Sequence, residues 1–214
     1  METKLYNSFL FDFDGTLVDS MPTFAAVMLR ILDEEGIARP DGIIRTITPL
    51  GYGGSADYFI TLGASSTKEE LLSRMHAYAY EEYANSIPLK AGVEEALRAL
   101  KARGASLNIL TASPHAVLDV TLRRLGIYEL FDHVWSCEDF QTTKSNPEIY
   151  KMAAKELGVA PDEYIFVDDN LGAVRTAKRA GVVTFGIYDP SSEEQADEIR
   201  ASADAYLHLL TDLL

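Results

Sequence analysis

Two carboxylates spaced two apart close an apolar run: Asp12 and Asp14 in FLFDFDGTLVDS, with Gly15 and Thr16 directly behind them. Acids at the end of a buried strand are costly unless something uses them. Three more chemical groups stand at comparable places. Thr111 closes LNILT, Lys144 sits in TTKSNPEIY, and Asp168 and Asp169 close YIFVDD. Brought to one place, four carboxylates repel strongly unless a divalent cation sits among them. All-oxygen ligands of this kind suit magnesium, which keeps waters and often bridges to phosphate. Thr111 and backbone amides can hold phosphate oxygens, and Lys144 can neutralise phosphate and carboxylate together. Each piece alone has an ordinary reading. Asp12 and Asp14 can form an Asx turn, Thr111 is a β-preferring residue, a lone lysine is a solvated charge, and Asp168 and Asp169 can cap the next helix. Their order, with the acids and the threonine at the ends of apolar runs and the lysine just before a helix, is what points to chemistry.

The elements that must position them are legible as alternating patterns. Ser8–Phe13, Leu107–Thr111, Tyr164–Val167 and Val182–Ile187 read as buried strands, and His133–Ser136 as a weaker one. Helical stretches Val93–Ala102, Pro114–Leu125, Pro147–Leu157 and Leu171–Ala180 alternate with them, and each stops at or just before a glycine. Asn146 caps the helix begun by Pro147, which aims Lys144 at the strand ends. Strand–helix alternation at this spacing implies an α/β fold, a parallel sheet covered on both faces. In such sheets ligands bind at the carboxyl ends of the strands. Residues 18–85 break the alternation with helices only, MPTFAAVMLRILDEEG, SADYFITLG and TKEELLSRMHAYAYEEYANS. The chain therefore divides into a core of residues 1–17 and 86–214 and a helical insert of 18–85, with Ser86–Gly92 as the return hinge. The tail SADAYLHLLTDLL reads as a last strand and helix.

Composition narrows the partners. A formal charge of −14 over 214 residues argues against nucleic acid and anionic membranes, which need basic patches. No apolar run is long enough to span a bilayer, and no signal peptide is read at the start. Cys137 is the only cysteine, which excludes an intrachain disulfide and a cysteine metal cluster. The expectation is a cytoplasmic protein acting on a small molecule.

With DFDGTLVDS, Thr111, KSNPEIY and VDDN in this order, the chain resembles the haloacid dehalogenase superfamily of phosphohydrolases over essentially its whole length. The insert resembles the α-helical caps of the phosphoglycolate phosphatase and β-phosphoglucomutase-like branch. The resemblance implies a Rossmann-like core with an inserted helical cap and Mg2+ as cofactor. Asp12 would be the nucleophile, forming an aspartyl-phosphate, and Asp14 the acid and then base. Asp12, the Asp14 carbonyl, Asp169 and nearby Asp168 would hold the metal. Thr111 and Lys144 would orient and neutralise the phosphoryl group. The branch also implies a monomer acting on a small phosphorylated metabolite. Two departures are Ser145, where the family carries proline after the lysine, and Ala91-Gly92 in place of Pro-Gly. Asp14 separates the chain from the dehalogenating and phosphonate-cleaving branches, which lack the second aspartate; Lys68, the cap lysine, reads as a solvated helix charge. Thr16, whose hydroxyl can bond the acid/base, leans towards hydrolysis over a sugar-phosphate mutase. A phospho-aspartate switch module would carry its acid pair first and no helical insert.

Around this frame stand weaker candidates for substrate contact. Ser113 and His115 follow Thr111 and face the substrate, or His115 only decorates its helix. Arg45 is an anion anchor in the insert or a surface arginine. Gly51, Gly53 and Gly54 offer backbone amides to an anion or form a plain turn. Tyr52 and Tyr58 line a pocket or pack. His76, His133 and His208 lack metal-ligand spacing, and Cys137 reads as a small buried hydrophobe.

Overall fold

The computed structural model describes residues 6–214. They divide into two compact units, one holding the described residues up to Asp19 together with Pro88–Leu214, the other Ser20–Ile87. The first unit contains a six-stranded sheet of β1 (Ser8–Phe11), β2 (Ser106–Thr111), β3 (His133–Ser136), β4 (Ile165–Asp168), β5 (Val183–Ile187) and β6 (Ala205–Leu207). Every pairing is parallel, in the order β3-β2-β1-β4-β5-β6. The chain moves outward from β1 to β3 and then returns to the other side of β1. The carboxyl ends of β1 and β4 therefore flank the point where strand order reverses, where open α/β sheets leave a crevice. All four residues of β1 and of β4 are buried, as continuous apolar runs in a covered parallel sheet should be.

Helices α5 (Val93–Ala102), α6 (His115–Arg124), α7 (Glu148–Leu157), α8 (Leu171–Arg179) and α9 (Ala196–Ser202) alternate with the strands. Leu10, Leu110 and Phe166 from the sheet share one core cluster with Ile149, Tyr150 and Ala153 of α7 and Ala173 and Ala177 of α8. Each large apolar side chain buried here contributes about 1.5–3 kcal/mol. Cys137 is buried in the same cluster. The strand expected through Phe13 stops at Phe11. The Asp12 amide still donates to the Val167 carbonyl at 2.9 Å, but the Phe13 carbonyl accepts the Leu17 and Val18 amides, so the chain has already turned. The tail forms β6 and then a 3-10 turn at Leu210–Leu213 in place of a full helix.

The second unit contains α1 (Met21–Glu34), α2 (Ile43–Ile47), α3 (Gly51–Thr61) and α4 (Lys68–Asn85). Its core includes Val27, Met28, Ile31, Ile43, Ile47, Phe59, Leu71 and Met75. Thr67 and Glu70 form a reciprocal capping box at the start of α4. The sequence pattern predicts no helix at α2 and a start of α3 at Ser55, whereas Gly51, Gly53 and Gly54 form its first turn. Both ends of the helical unit, Ser20 and Ile87, lie two residues later than the expected 18 and 85. Val18 bridges to Leu89, and the Asp19 amide donates to the Pro88 carbonyl at 3.0 Å, which binds these residues to the sheet-bearing unit. Among the described residues no helix is long and apolar enough to cross a membrane.

Candidate active site

The loop after β1 is shaped by one close approach. Gly15 has φ +77°, and a Cβ there would lie 2.6 Å from Asp169 Oδ2, so only glycine fits. The neighbouring Thr16 hydroxyl, fully buried, donates to Asp169 Oδ1 at 3.2 Å. The hydroxyl expected to bond the acid/base at position 14 therefore also reaches the acid pair at the end of β4. The loop thereby clasps the acid that follows β4.

Lys144 is held from both directions. Its carbonyl accepts the Tyr150 hydroxyl at 3.1 Å, and the Asn146 side chain accepts the Glu148 amide at 3.1 Å, starting α7 as the sequence implied. Its ammonium lies 2.5 Å from Asp12 Oδ1 and 2.8 Å from Asp168 Oδ2. The other Asp168 oxygen accepts the Asn170 amide at 2.7 Å, and Asn170 in turn caps α8. Asp12, Asp168 and Asp169 are all buried, and each offers a carboxylate oxygen within 4.8 Å of the others.

Electrostatics make this cluster strained without a further cation. Burial pushes the Asp12 carboxyl up to about 7, against the downward pull of Lys144 and with added repulsion from Asp168 and Asp14. Burial, then Asp168 and Asp12, hold Asp169 well above the usual carboxylate range. Burial would depress Lys144, but Asp12 and Asp168 outweigh it and raise it. Three carboxylates against one ammonium leave two negative charges uncompensated if all ionise. A magnesium ion binding oxygens at about 2.1 Å spans about 4.2 Å between opposite ligands, so the cluster fits such an ion in spacing, charge and donor type.

The remaining expected residues fall in different places. Thr111 ends β2, beside β1, is buried, and accepts the Ser113 amide on its hydroxyl at 3.0 Å. The Ser113 hydroxyl donates to Asp14 Oδ2 at 2.5 Å, so it serves an acid of the first motif. His115 is occupied on both ring nitrogens, by Asp119 at 3.1 Å and Asp139 at 2.8 Å, and these two hydrogen bonds raise its pKa. It is not part of the acid cluster. Arg45 is exposed on α2 of the helical unit. Tyr52 packs on Phe24 and His76, and Tyr58 lies against the helical core.

Sequence reasoning missed Lys90 and Asp189. The Lys90 ammonium donates to the carbonyls of Gly15 and Tyr188 and to Asp189, which is itself buried. Asp189 follows the apolar run of β5 as Asp12 follows β1, a signal that could have found it. Lys90 carries no such signal, because its partners lie 75 and 98 or more residues away.

With this geometry in hand, comparison with known proteins is direct. The haloacid dehalogenase-like hydrolase profile matches residues 6–181. The chain belongs to this family. Among relatives of the haloacid dehalogenase-like hydrolase, pyrophosphatase PpaX of Bacillus velezensis is 31% identical over 189 residues, 87% of this chain and 85% of that protein. Hexitol phosphatase B of Escherichia coli is 28% identical over 210 residues, 95% and 92% of the two chains. The structure of CbbY from Rhodobacter sphaeroides in complex with phosphate matches with a TM-score of 0.80 at 21% identity, covering 98% of this chain and 96% of that one, and supports the fold. Family and relatives together make the chain an enzyme, a phosphatase of the haloacid dehalogenase type.

Proposed function

We propose that this hydrolase removes phosphate from a small phosphorylated metabolite, with Mg2+ and through an aspartyl-phosphate. The observation that carries the reading is the buried cluster of Asp12, Lys144, Asp168 and Asp169 at the strand-order reversal. In this reading an Asp12 carboxylate oxygen attacks phosphorus while the ester P–O bond breaks. Asp14, held by the Ser113 hydroxyl, gives its proton to the departing alkoxide. Water then attacks the aspartyl-phosphate, Asp14 takes its proton, and phosphate leaves with Asp12 restored. Lys144 neutralises Asp12 and the incoming phosphoryl oxygens, and Thr111 contributes a hydroxyl to them. Asp12, the Asp14 carbonyl, Asp168 and Asp169 would hold the metal, whose chemistry is charge stabilisation on the transferring group. The helical unit would act as the cap and select the substrate, with Arg45 as its candidate anion contact. The enzyme would act as a monomer in the cytoplasm.

Named relatives that are phosphatases favour hydrolysis over the mutase alternative. The test is phosphate release from hexitol phosphates, other sugar phosphates, phosphoglycolate, nucleotides and pyrophosphate. It is run with magnesium, with chelator and with Asp12→Asn. Release that needs the metal and vanishes in the variant is expected, and the fastest substrate names the class. Release that persists in Asp12→Asn sinks the reading.

A further inference from the structure

Lys90 makes three hydrogen bonds from one ammonium: to the Gly15 carbonyl at 2.5 Å, the Tyr188 carbonyl at 2.8 Å and Asp189 Oδ2 at 2.7 Å. An ammonium has three donors, so all are used. The side chain is only 17% exposed and that of Asp189 1%. Asp189 is fixed in turn, its other oxygen accepting both the amide of Ser191, at 2.9 Å, and its hydroxyl, at 2.6 Å. The Lys90 backbone is registered to the same loop it holds, its amide donating to the Leu17 carbonyl at 3.0 Å beside the Val18–Leu89 bridge.

The loop held in this way is the one that touches Asp169. Gly15 leaves no room for a methyl group against the Asp169 carboxylate, and Thr16 donates to its other oxygen. Any shift of the Gly15 peptide moves both contacts. We infer that Lys90 is a positioning residue for Asp169: it ties the loop after β1 to the loop after β5, and the wall so fixed sets where the Asp169 carboxylate points. A lysine that only neutralised Asp189 would have no need of two backbone carbonyls, one of them in the loop that carries Asp12 and Asp14.

This inference rests on the reading of the acid cluster as a metal site. Its test is therefore magnesium affinity measured by calorimetry with magnesium chloride alone, beside the thermal melting of the metal-free protein. Removing Lys90 alone would leave Asp189 unpaired and make the site more negative, which by itself attracts a cation. The decisive variant is therefore the double substitution Lys90→Met with Asp189→Asn, which leaves the local net charge unchanged and breaks the tether. Outer partners of metal ligands typically matter by about 10–100-fold in affinity, and a loss of about tenfold or more is expected here at near wild-type melting. The magnesium concentration for half-activation should rise equally, with KM for the ester unchanged. Affinity equal to wild type in the folded double variant overturns the inference. If that variant does not fold, Lys90→Arg decides: it keeps the charge but replaces a compact ammonium by a planar fork, and undiminished affinity there overturns the inference too. A wild-type protein that binds no divalent cation overturns the metal-site reading and this one with it, so the two failures are distinguishable.

Discussion

The Lys144 ammonium stands between two carboxylates, 2.5 Å from Asp12 and 2.8 Å from Asp168, and all three side chains are almost fully shielded from solvent. Buried ion clusters are poor sources of stability, because desolvation offsets most of the Coulombic gain. Their persistence here is better explained by chemistry. Replacing Lys144 with Met should lower kcat by about 10²–10³-fold, the usual cost of one preorganised charge-stabilising donor. The check is steady-state kinetics at saturating magnesium. A change below threefold would remove Lys144 from the mechanism.

The raised Asp12 carboxyl gives the metal a competitor. Without metal, Asp12 keeps its proton up to about 7 in the folded protein, whereas its ordinary value is 3.8. A metal ligand must lose that proton, and Asp169 is raised as well, so magnesium binding should weaken as pH falls through about 7, by roughly tenfold or more per pH unit below it. In Lys144→Met the downward pull on Asp12 is gone, and the same transition should move to higher pH. Calorimetric titrations between pH 5.5 and 8.5 test both statements; a flat affinity across that range contradicts them.

Ser113 offers a narrower prediction. Its hydroxyl is 2.5 Å from Asp14 Oδ2, and a hydrogen bond to a charged group is worth about 1.5–3 kcal/mol. Ser113→Ala should lower kcat by at least about tenfold with little effect on KM, because it disturbs the acid/base and not substrate binding. Ser113→Thr should retain most of the rate. Equal losses in kcat and in substrate affinity would instead place Ser113 on the substrate.

These contacts separate what was readable in the sequence from what was not. The sheet was readable because its strands are buried on both faces and appear as unbroken apolar runs, FLF and IFV among them. Asp12, Lys144, Asp168 and Asp169 could be anticipated together because each follows such a run or precedes a helix, and parallel strands deliver their carboxyl ends to one edge. The start of α3 was not readable. Gly51, Gly53 and Gly54 have poor helix propensity, and the helix exists because Ala56 and Phe59 bury against Ile43, Ile47 and Met75. The bond from Thr16 to Asp169 was not readable, because the fold supplies that partner from 153 residues away. Lys90 shows the same limit, since spacing along the chain carries no information about carbonyls brought in by other loops.

In the helical unit the strongest polar anchor is Glu35, just past α1. Its carboxylate accepts the amides of Ser65 and Ser66 at 2.9 and 3.1 Å and the Ser66 hydroxyl at 2.7 Å, and it pairs with Arg74. Burial would raise its pKa, but the Ser66, Arg74 and Ser65 hydrogen bonds outweigh it and bring it from 4.5 down to about 2. A carboxyl depressed on folding stabilises the folded state above its unfolded value. Its contribution is therefore complete above about pH 4.5 and is lost as pH falls to about 2. Glu35→Gln should cost about 1–3 kcal/mol at neutral pH. In melting curves taken from pH 7 to pH 2, its deficit against wild type should shrink steadily below about pH 4.5. A deficit that stays constant with pH would mean that the charge of Glu35 contributes nothing.

Two glycines separate damage to the site from damage to the fold. A Cβ at Gly15 would meet Asp169 Oδ2 at 2.6 Å, and the φ of +77° is itself unfavourable for alanine. A Cβ at Gly186 would meet Ile199 Cγ2 at 2.4 Å and Tyr206 at 3.0 Å, on the sheet-to-helix packing of β5 against α9. Both Gly15→Ala and Gly186→Ala should destabilise by about 1–3 kcal/mol, through strain at the first and overpacking at the second. Only Gly15→Ala displaces a carboxylate of the acid cluster. It should therefore lower magnesium affinity by about tenfold or more, on the scale set by partners of metal ligands, while folded Gly186→Ala binds magnesium as the wild type does. Urea unfolding and magnesium titration on the same two proteins make the comparison. Equal metal affinity in both variants would show that the contact of Gly15 with Asp169 has no bearing on the site.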